Sequence, residues 1–190
     1  IFMNGRGIPA MSPLPPGIFG YVDGPEGLNP VVYDRDAASG SAKRKPIDVA
    51  KMLLADAGWP NGRDAKTGEP LVLYLDTALG GMGDKSTLDW LTRQFAKLDI
   101  QLVVRSTDSN RFQEKLRKGA VQIFFLGWNA DYPDPENFFF LLAGPKGNLA
   151  KTGENATNYS STEFDRLFAE MKNMENDAVH AARRQAIITR

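Results

Sequence analysis

The stretch that most constrains the fold runs from Ala120 to Leu142: A-V-Q-I-F-F-L-G-W-N-A-D-Y-P-D-P-E-N-F-F-F-L-L. Val121 to Leu126 is a continuous β-branched and aromatic run, the composition of a strand buried on both faces of a sheet. Gly127 ends that run, and Trp128, Asn129, Ala130, Asp131, Tyr132 and Pro133 follow as a rigid, aromatic turn. Asp134 and Pro135 then read as the N-cap and first residue of a new helix, where the missing proline N–H costs nothing. A carboxylate between Trp and Tyr at the carboxyl end of a buried strand sits where open α/β sheets place ligands.

The segments before this stretch supply the rest of such a sheet. Pro46 to Ala57 reads as a helix, with Asp48 near the positive end of its dipole and Val49, Ala50, Leu53, Leu54 and Ala57 as one apolar stripe; Gly58 stops it. Leu71 to Thr77 reads as a strand, Asp84 to Leu98 as a helix and Ile100 to Arg105 as a strand. Leu88, Leu91, Phe95 and Leu98 recur at helical spacing. Asn110 to Lys118 is a short helix with Phe112 and Leu116 inward. The β-α-β-α-β order predicts parallel strands joined by right-handed crossovers, with their carboxyl ends near Thr77, Ser106 and Trp128 on one edge.

The flanks are of a different character. Residues 1–45 are rich in Pro and Gly and read as an extended connecting arm. Ile8, Met11, Leu14, Ile18, Phe19, Tyr21 and Val22 make it too apolar for a solvated linker, so it is expected to lie on other structure. The α/β lobe is expected over 46–190. Downstream, Phe138 to Leu142 are too uniformly apolar for an exposed helix, and Gly144 to Asn158 read as a polar loop. Ser160 and Glu163 fall at capping-box spacing ahead of a helix lined by Phe164, Leu167, Phe168, Met171 and Met174. Lys172 to Arg184 reads as a solvated, charged face, with His180 on the surface.

Composition removes several functions. Lys plus Arg and Asp plus Glu are both 23 in a chain of 190 residues, so no net field recruits nucleic acid or an anionic membrane. Cysteine is absent and His180 is the sole histidine, which excludes disulfides, thiolate metal sites and Cys nucleophiles, and disfavours a histidine-rich metal site. No apolar run reaches the ~18 residues of a membrane span. The chain opens on Ile1 and closes at Arg190 inside a helical pattern that begins near Ala178, so it reads as a piece of a longer protein with any signal peptide outside it.

Two motifs invite stronger chemistry and fail. Ala78 to Thr87, A-L-G-G-M-G-D-K-S-T, has the glycines, Lys85 and Ser86 of a phosphate loop, but its glycine spacing is wrong and Asp84 precedes the lysine. It reads as a loop at a cleft edge. Asp131, Asp134 and Glu136 lack the D-x-D-x-D-G pattern of a calcium loop, and two prolines restrict the turn that carries them.

G-W-N-A-D-Y-P-D-P followed by an aromatic helix resembles the signature of peptide- and nickel-type (family 5) extracellular solute-binding proteins, the receptors of ABC importers. A-K-M-L-L-A-D-A-G-W-P-N-G and N-Y-S-S-T-E-F-D-R-L resemble two further motifs of the same family, in the same order. The resemblance implies an α/β lobe of a periplasmic-binding-protein fold, paired with an N-terminal lobe outside this sequence. It implies reversible capture of a short peptide, delivery to ABC permease subunits, a periplasmic or cell-surface location, and no catalytic residue, cofactor, metal or nucleic acid. By the motif match, Asp131 receives the α-ammonium of the ligand. Gly127, Trp128, Asn129, Ala130 and Tyr132 form the surrounding ligand site, through backbone groups as well as side chains.

Read without the resemblance, each residue has a plainer role open to it. Asp131 can pair with a cation in a partly dry cleft or cap its own turn. Trp128 can offer a flat face to a ligand chain or cation or pack as core. Tyr132 can hydrogen-bond ligand or close the lobe. Asp134 is read as a helix cap and Glu136 as part of the first helical turn. A non-peptide solute (a nickel complex, haem, a sugar or an opine), an α/β enzyme and a protein-interaction module are the alternatives. The enzyme would need an acid, base or nucleophile that this chain does not gather in sequence.

Overall fold

In the computed structural model, the described residues are 12–22, 24, 27–36, 38–78, 82–144, 153–175, 177 and 179–188. They pack as two compact units. One holds residues 44–116 and 120–126; the other holds 12–43, 117–119 and 127–188. Ile8 and Met11 of the expected apolar arm, and Leu79 to Gly81 of the glycine loop, lie outside the described residues.

The first unit is the α/β part. Helix α1 (Ile47–Asp56) is followed by a 3-10 turn at Pro60–Gly62, then the two longer strands and their crossover helices. Those strands, with β1 and β2 numbered for a small two-stranded sheet at Tyr33–Arg35 and Ala42–Arg44, are β3 (Val72–Thr77) and β4 (Gln101–Ser106). Helices α2 (Met82–Ala96) and α3 (Ser109–Arg117) connect them onward to β5 (Ile123–Phe124). The sheet order is β4-β3-β5, and both pairings are parallel, with Val72 opposite Gln101, Thr77 opposite Ser106 and Asp76 opposite Phe124. Leu75, Ile100, Leu102, Phe112 and Leu116 are its buried apolar residues. Each contributes roughly 1.5 to 3 kcal/mol by leaving water.

One close approach needs glycine. Gly62 has φ +66°, and a Cβ there would collide with the Asp99 carbonyl. The left-handed region and the contact both favour the residue with no side chain.

Two expectations need correction here, on the last strand and on the helix ends. The strand expected over Val121 to Leu126 and buried on both faces is only Ile123–Phe124; Phe125 and Leu126 are 46% and 48% exposed. The Gln122 side-chain oxygen takes the Tyr74 N–H at 2.8 Å, occupying a donor on β3 next to the pairing and ending the ladder on that side. The apolar stripe of α1 is not buried: Leu53 is 53% exposed, and no residue of that helix is fully covered by the described chain. The helix boundaries slip by one to two residues from those expected, as helix ends commonly do.

The second unit is helical and takes in the arm. Helix α4 (Glu136–Phe139) runs into a 3-10 turn at Phe140–Leu142, and α5 (Thr162–Lys172) and α6 (Ala181–Ile188) follow. Leu167, Met171 and Ile187 form its core, with Phe139, Phe168, Met174 and Ile188 packed against them. The arm joins this packing: Leu14 is 2% exposed, and Gly20 lies so close to Ile188 that a Cβ would strike its side chain. The cap of α5 is Ser161 rather than Ser160, its Oγ accepting the Phe164 N–H at 3.2 Å. In the polar loop before it, buried Asn155 donates to the carbonyls of Ala143 and Tyr159 at 2.8 and 2.9 Å.

Candidate functional site

The loop from Gly127 to Pro135 belongs wholly to the second unit, and its shape is set by α4. Asp134 Oδ1 accepts the Glu136 N–H at 2.9 Å, and its carbonyl accepts the Asn137 N–H at 3.0 Å, so it starts the helix much as its position before Pro135 predicts. Its second task was invisible in sequence. Arg184 of α6 donates through Nη2 to both Asp134 oxygens, at 2.7 and 2.5 Å. The Arg184 side chain is 4% exposed and stacks over Phe19 at 5.5 Å. Part of the face read as solvated is therefore buried. Ile187 and Ile188, three and four residues after Arg184, are the pattern that marks the inward side.

The six predicted ligand residues divide clearly. Trp128 is half-buried, edge-on to Phe140 with ring centroids 5.1 Å apart, and its indole N–H donates to Asn137 Oδ1 at 3.0 Å. Asn129 and Ala130 are exposed. With Trp128 and Phe138 they line one side of a cavity of about 590 Å³, whose other wall includes Leu14, Ile18 and Tyr21 from the arm. Tyr132 is 46% exposed, and its hydroxyl donates to the Glu136 carboxylate. Glu136 also pairs with Lys172 at 3.1 Å. Gly127 is exposed with open space around its Cα, so nothing in its surroundings demands glycine.

Asp131 is the residue whose chemistry is left available. Its backbone N–H donates to Asn137 Oδ1 at 3.1 Å, which holds the main chain. Its exposed carboxylate has no hydrogen-bond or ion-pair partner among the described residues. It does not cap its own turn. A fixed backbone carrying an exposed carboxylate, next in the chain to Ala130 of the cavity wall, suits a cationic group that brings its own N–H donors.

A second carboxylate, in the first unit, is arranged in the opposite way. Asp76 at the end of β3 is 1% exposed and is held by Arg105 at 2.5 Å and Lys115 at 2.7 Å. Burial pushes its carboxyl upward, but hydrogen bonds and charge from Lys115 and Arg105 outweigh that and leave it below the ordinary 3.8. The Arg105 guanidinium also lies 4.6 Å over the Tyr74 ring.

Lys85 lies inside α2 and pairs with Asp89 at 2.6 Å. Among the described residues, no three His, Asp or Glu side chains gather to hold a metal ion. None of the described helices is long and apolar enough to cross a membrane.

Comparison with known proteins gives this loop its setting. Residues 1–150 match the family described as bacterial extracellular solute-binding proteins, family 5 Middle, and the chain belongs to that family. Heme-binding protein A of Haemophilus influenzae is 27% identical over 174 residues, covering 91% of this chain and 28% of that protein. Di/tripeptide-binding protein 4 of Pseudomonas aeruginosa is 25% identical over 185 residues, covering 95% and 30%. The solved periplasmic binding protein DppA from Helicobacter pylori, in complex with the peptide STSA, superposes with a TM-score of 0.70 at 22% identity, covering 94% of this chain and 29% of that one. The fold is that of a periplasmic-binding-protein lobe, and the chain spans under a third of the length of these relatives.

Proposed function

We propose that this chain is part of the extracytoplasmic receptor of an ABC importer and binds short peptides reversibly, with the peptide α-ammonium on Asp131. The observation that carries this is the exposed Asp131 carboxylate, without a partner among the described residues, on a backbone fixed by Asn137. The Trp128 ring and the adjoining cavity then receive the apolar part of the peptide, and exposed backbone groups of Gly127, Asn129 and Ala130 offer further hydrogen bonds. An ammonium–carboxylate hydrogen bond contributes about 1.5 to 3 kcal/mol. The remaining contacts come from an N-terminal lobe, and closure of the two lobes buries the solute and presents it to membrane permease subunits. No bond is made or broken.

A haem-like solute is the second reading, favoured by the 27% identity to a protein named for haem binding and by the apolar wall of the cavity. Calorimetry on the full-length protein separates the two. Short peptides with free N-termini should bind, their N-acetylated forms should bind at least about tenfold more weakly, and Asp131→Ala should erase that difference. Haem binding that ignores both acetylation and Asp131→Ala would overturn the peptide reading and leave Asp131 as a surface residue.

A further inference from the structure

Two donors of the 127–132 loop converge on one atom. Asn137, the second residue of α4, is 3% exposed, and its Oδ1 accepts the Trp128 indole N–H at 3.0 Å and the Asp131 backbone N–H at 3.1 Å. A carboxamide oxygen has two lone pairs, so these two donors use both. The bonds reach back nine and six residues, tying the aromatic ring and the carboxylate-bearing residue to a common point. That point is itself fixed. The Asn137 N–H is held by the Asp134 carbonyl at 3.0 Å, and the Asp134 carboxylate is held by buried Arg184.

We propose that Asn137 is a positioning residue of the solute site. It sets the placement of the Trp128 ring relative to Asp131, and so tunes affinity without touching solute. The proposal rests on the reading of 127–132 as the solute site. Chemistry separates this role from simple packing. Leucine fills nearly the same volume but leaves both N–H donors without an acceptor, whereas aspartate keeps the shape and an acceptor oxygen while adding a charge.

The test uses the full-length protein with Asn137→Leu, Asn137→Asp and the shorter Asn137→Ser. Amide hydrogen exchange across 129–133, thermal midpoint and affinity for free-N-terminus peptides are read together. Asn137→Leu should accelerate exchange at the Asp131 amide and weaken peptide binding, each by about tenfold or more. Asn137→Ser, whose oxygen falls short of the donors, should do the same. Asn137→Asp should keep both within about threefold of the parent. Should Asn137→Leu fail to fold, the serine and aspartate variants carry the comparison. Exchange at the Asp131 amide that ignores both Asn137→Leu and Asn137→Ser overturns the proposal and returns Asn137 to a packing role. A parent protein that binds no peptide while exchange responds as stated removes the peptide reading and leaves the positioning of the loop standing.

Discussion

At the carboxyl edge of the parallel sheet, Asp76 is shut from solvent and neutralised by two cations; in the loop after β5, Asp131 stands exposed, its backbone held and its side chain unclaimed among the described residues. Asp134, three residues further on, follows the pattern of Asp76, with a helix N–H and a buried arginine occupying its oxygens. The fold spends its own donors on the carboxylates that hold elements together. In the motif, the carboxylate with no partner among the described residues is Asp131, the one proposed to meet a solute.

The sharpest way to break that contrast is Asp134→Ala. It strands Arg184, whose side chain is 4% exposed and whose Nε and Nη1 already have no partner among the described residues. Loss of one member of a buried ion pair costs about 3 to 5 kcal/mol, and chemical denaturation should place this variant in that range. An effect below about 1 kcal/mol would mean that the Asp134–Arg184 pair does not hold the loop.

Asp76→Asn should come next, at about 2 kcal/mol, because Arg105 and Lys115 retain 39% and 31% exposure and can be hydrated once the charge is gone. This variant also yields a pH signature. The folded carboxyl of Asp76 lies below 3.8, so its stabilisation is complete above that value and is lost as pH falls through the lower folded value. The gap between parent and variant should therefore hold above about pH 5 and narrow as the pH falls below 3.8; a constant gap would assign the loss to packing instead. Smallest of all should be Asp131→Ala, within about 0.5 kcal/mol of the parent in denaturation while peptide affinity collapses. A large stability loss at Asp131 would erase the distinction between the two kinds of carboxylate.

How much of this was legible depends on the range over which each feature is written. The alternation of β3, α2, β4, α3 and β5 lies in local periodicity, so its order and parallel sense were readable even where ends slipped. The short β5 was not, because a side chain, Gln122, takes a backbone donor that composition assigns to the ladder. The loop motif drew attention to Asp131 and Trp128; Asn137 drew none, because its bonds run to residues six and nine positions back. Arg184 was missed because its partner is 50 residues away and its neighbours are charged.

The two units are interleaved along the chain, and this has a bearing on how the protein is made. Most of the first unit is one continuous stretch, 44–116, closed by 120–126, whereas the second must bring 12–43 together with 127–188. Contacts close in sequence form sooner than those that close long loops. During synthesis the β3–β4 layer can assemble as soon as it emerges, while Leu14 waits for helices not yet translated. Pulse-labelled exchange should protect the amides of Leu73 to Leu75 before those of α5 and α6. The arm would then be the last segment to find its place.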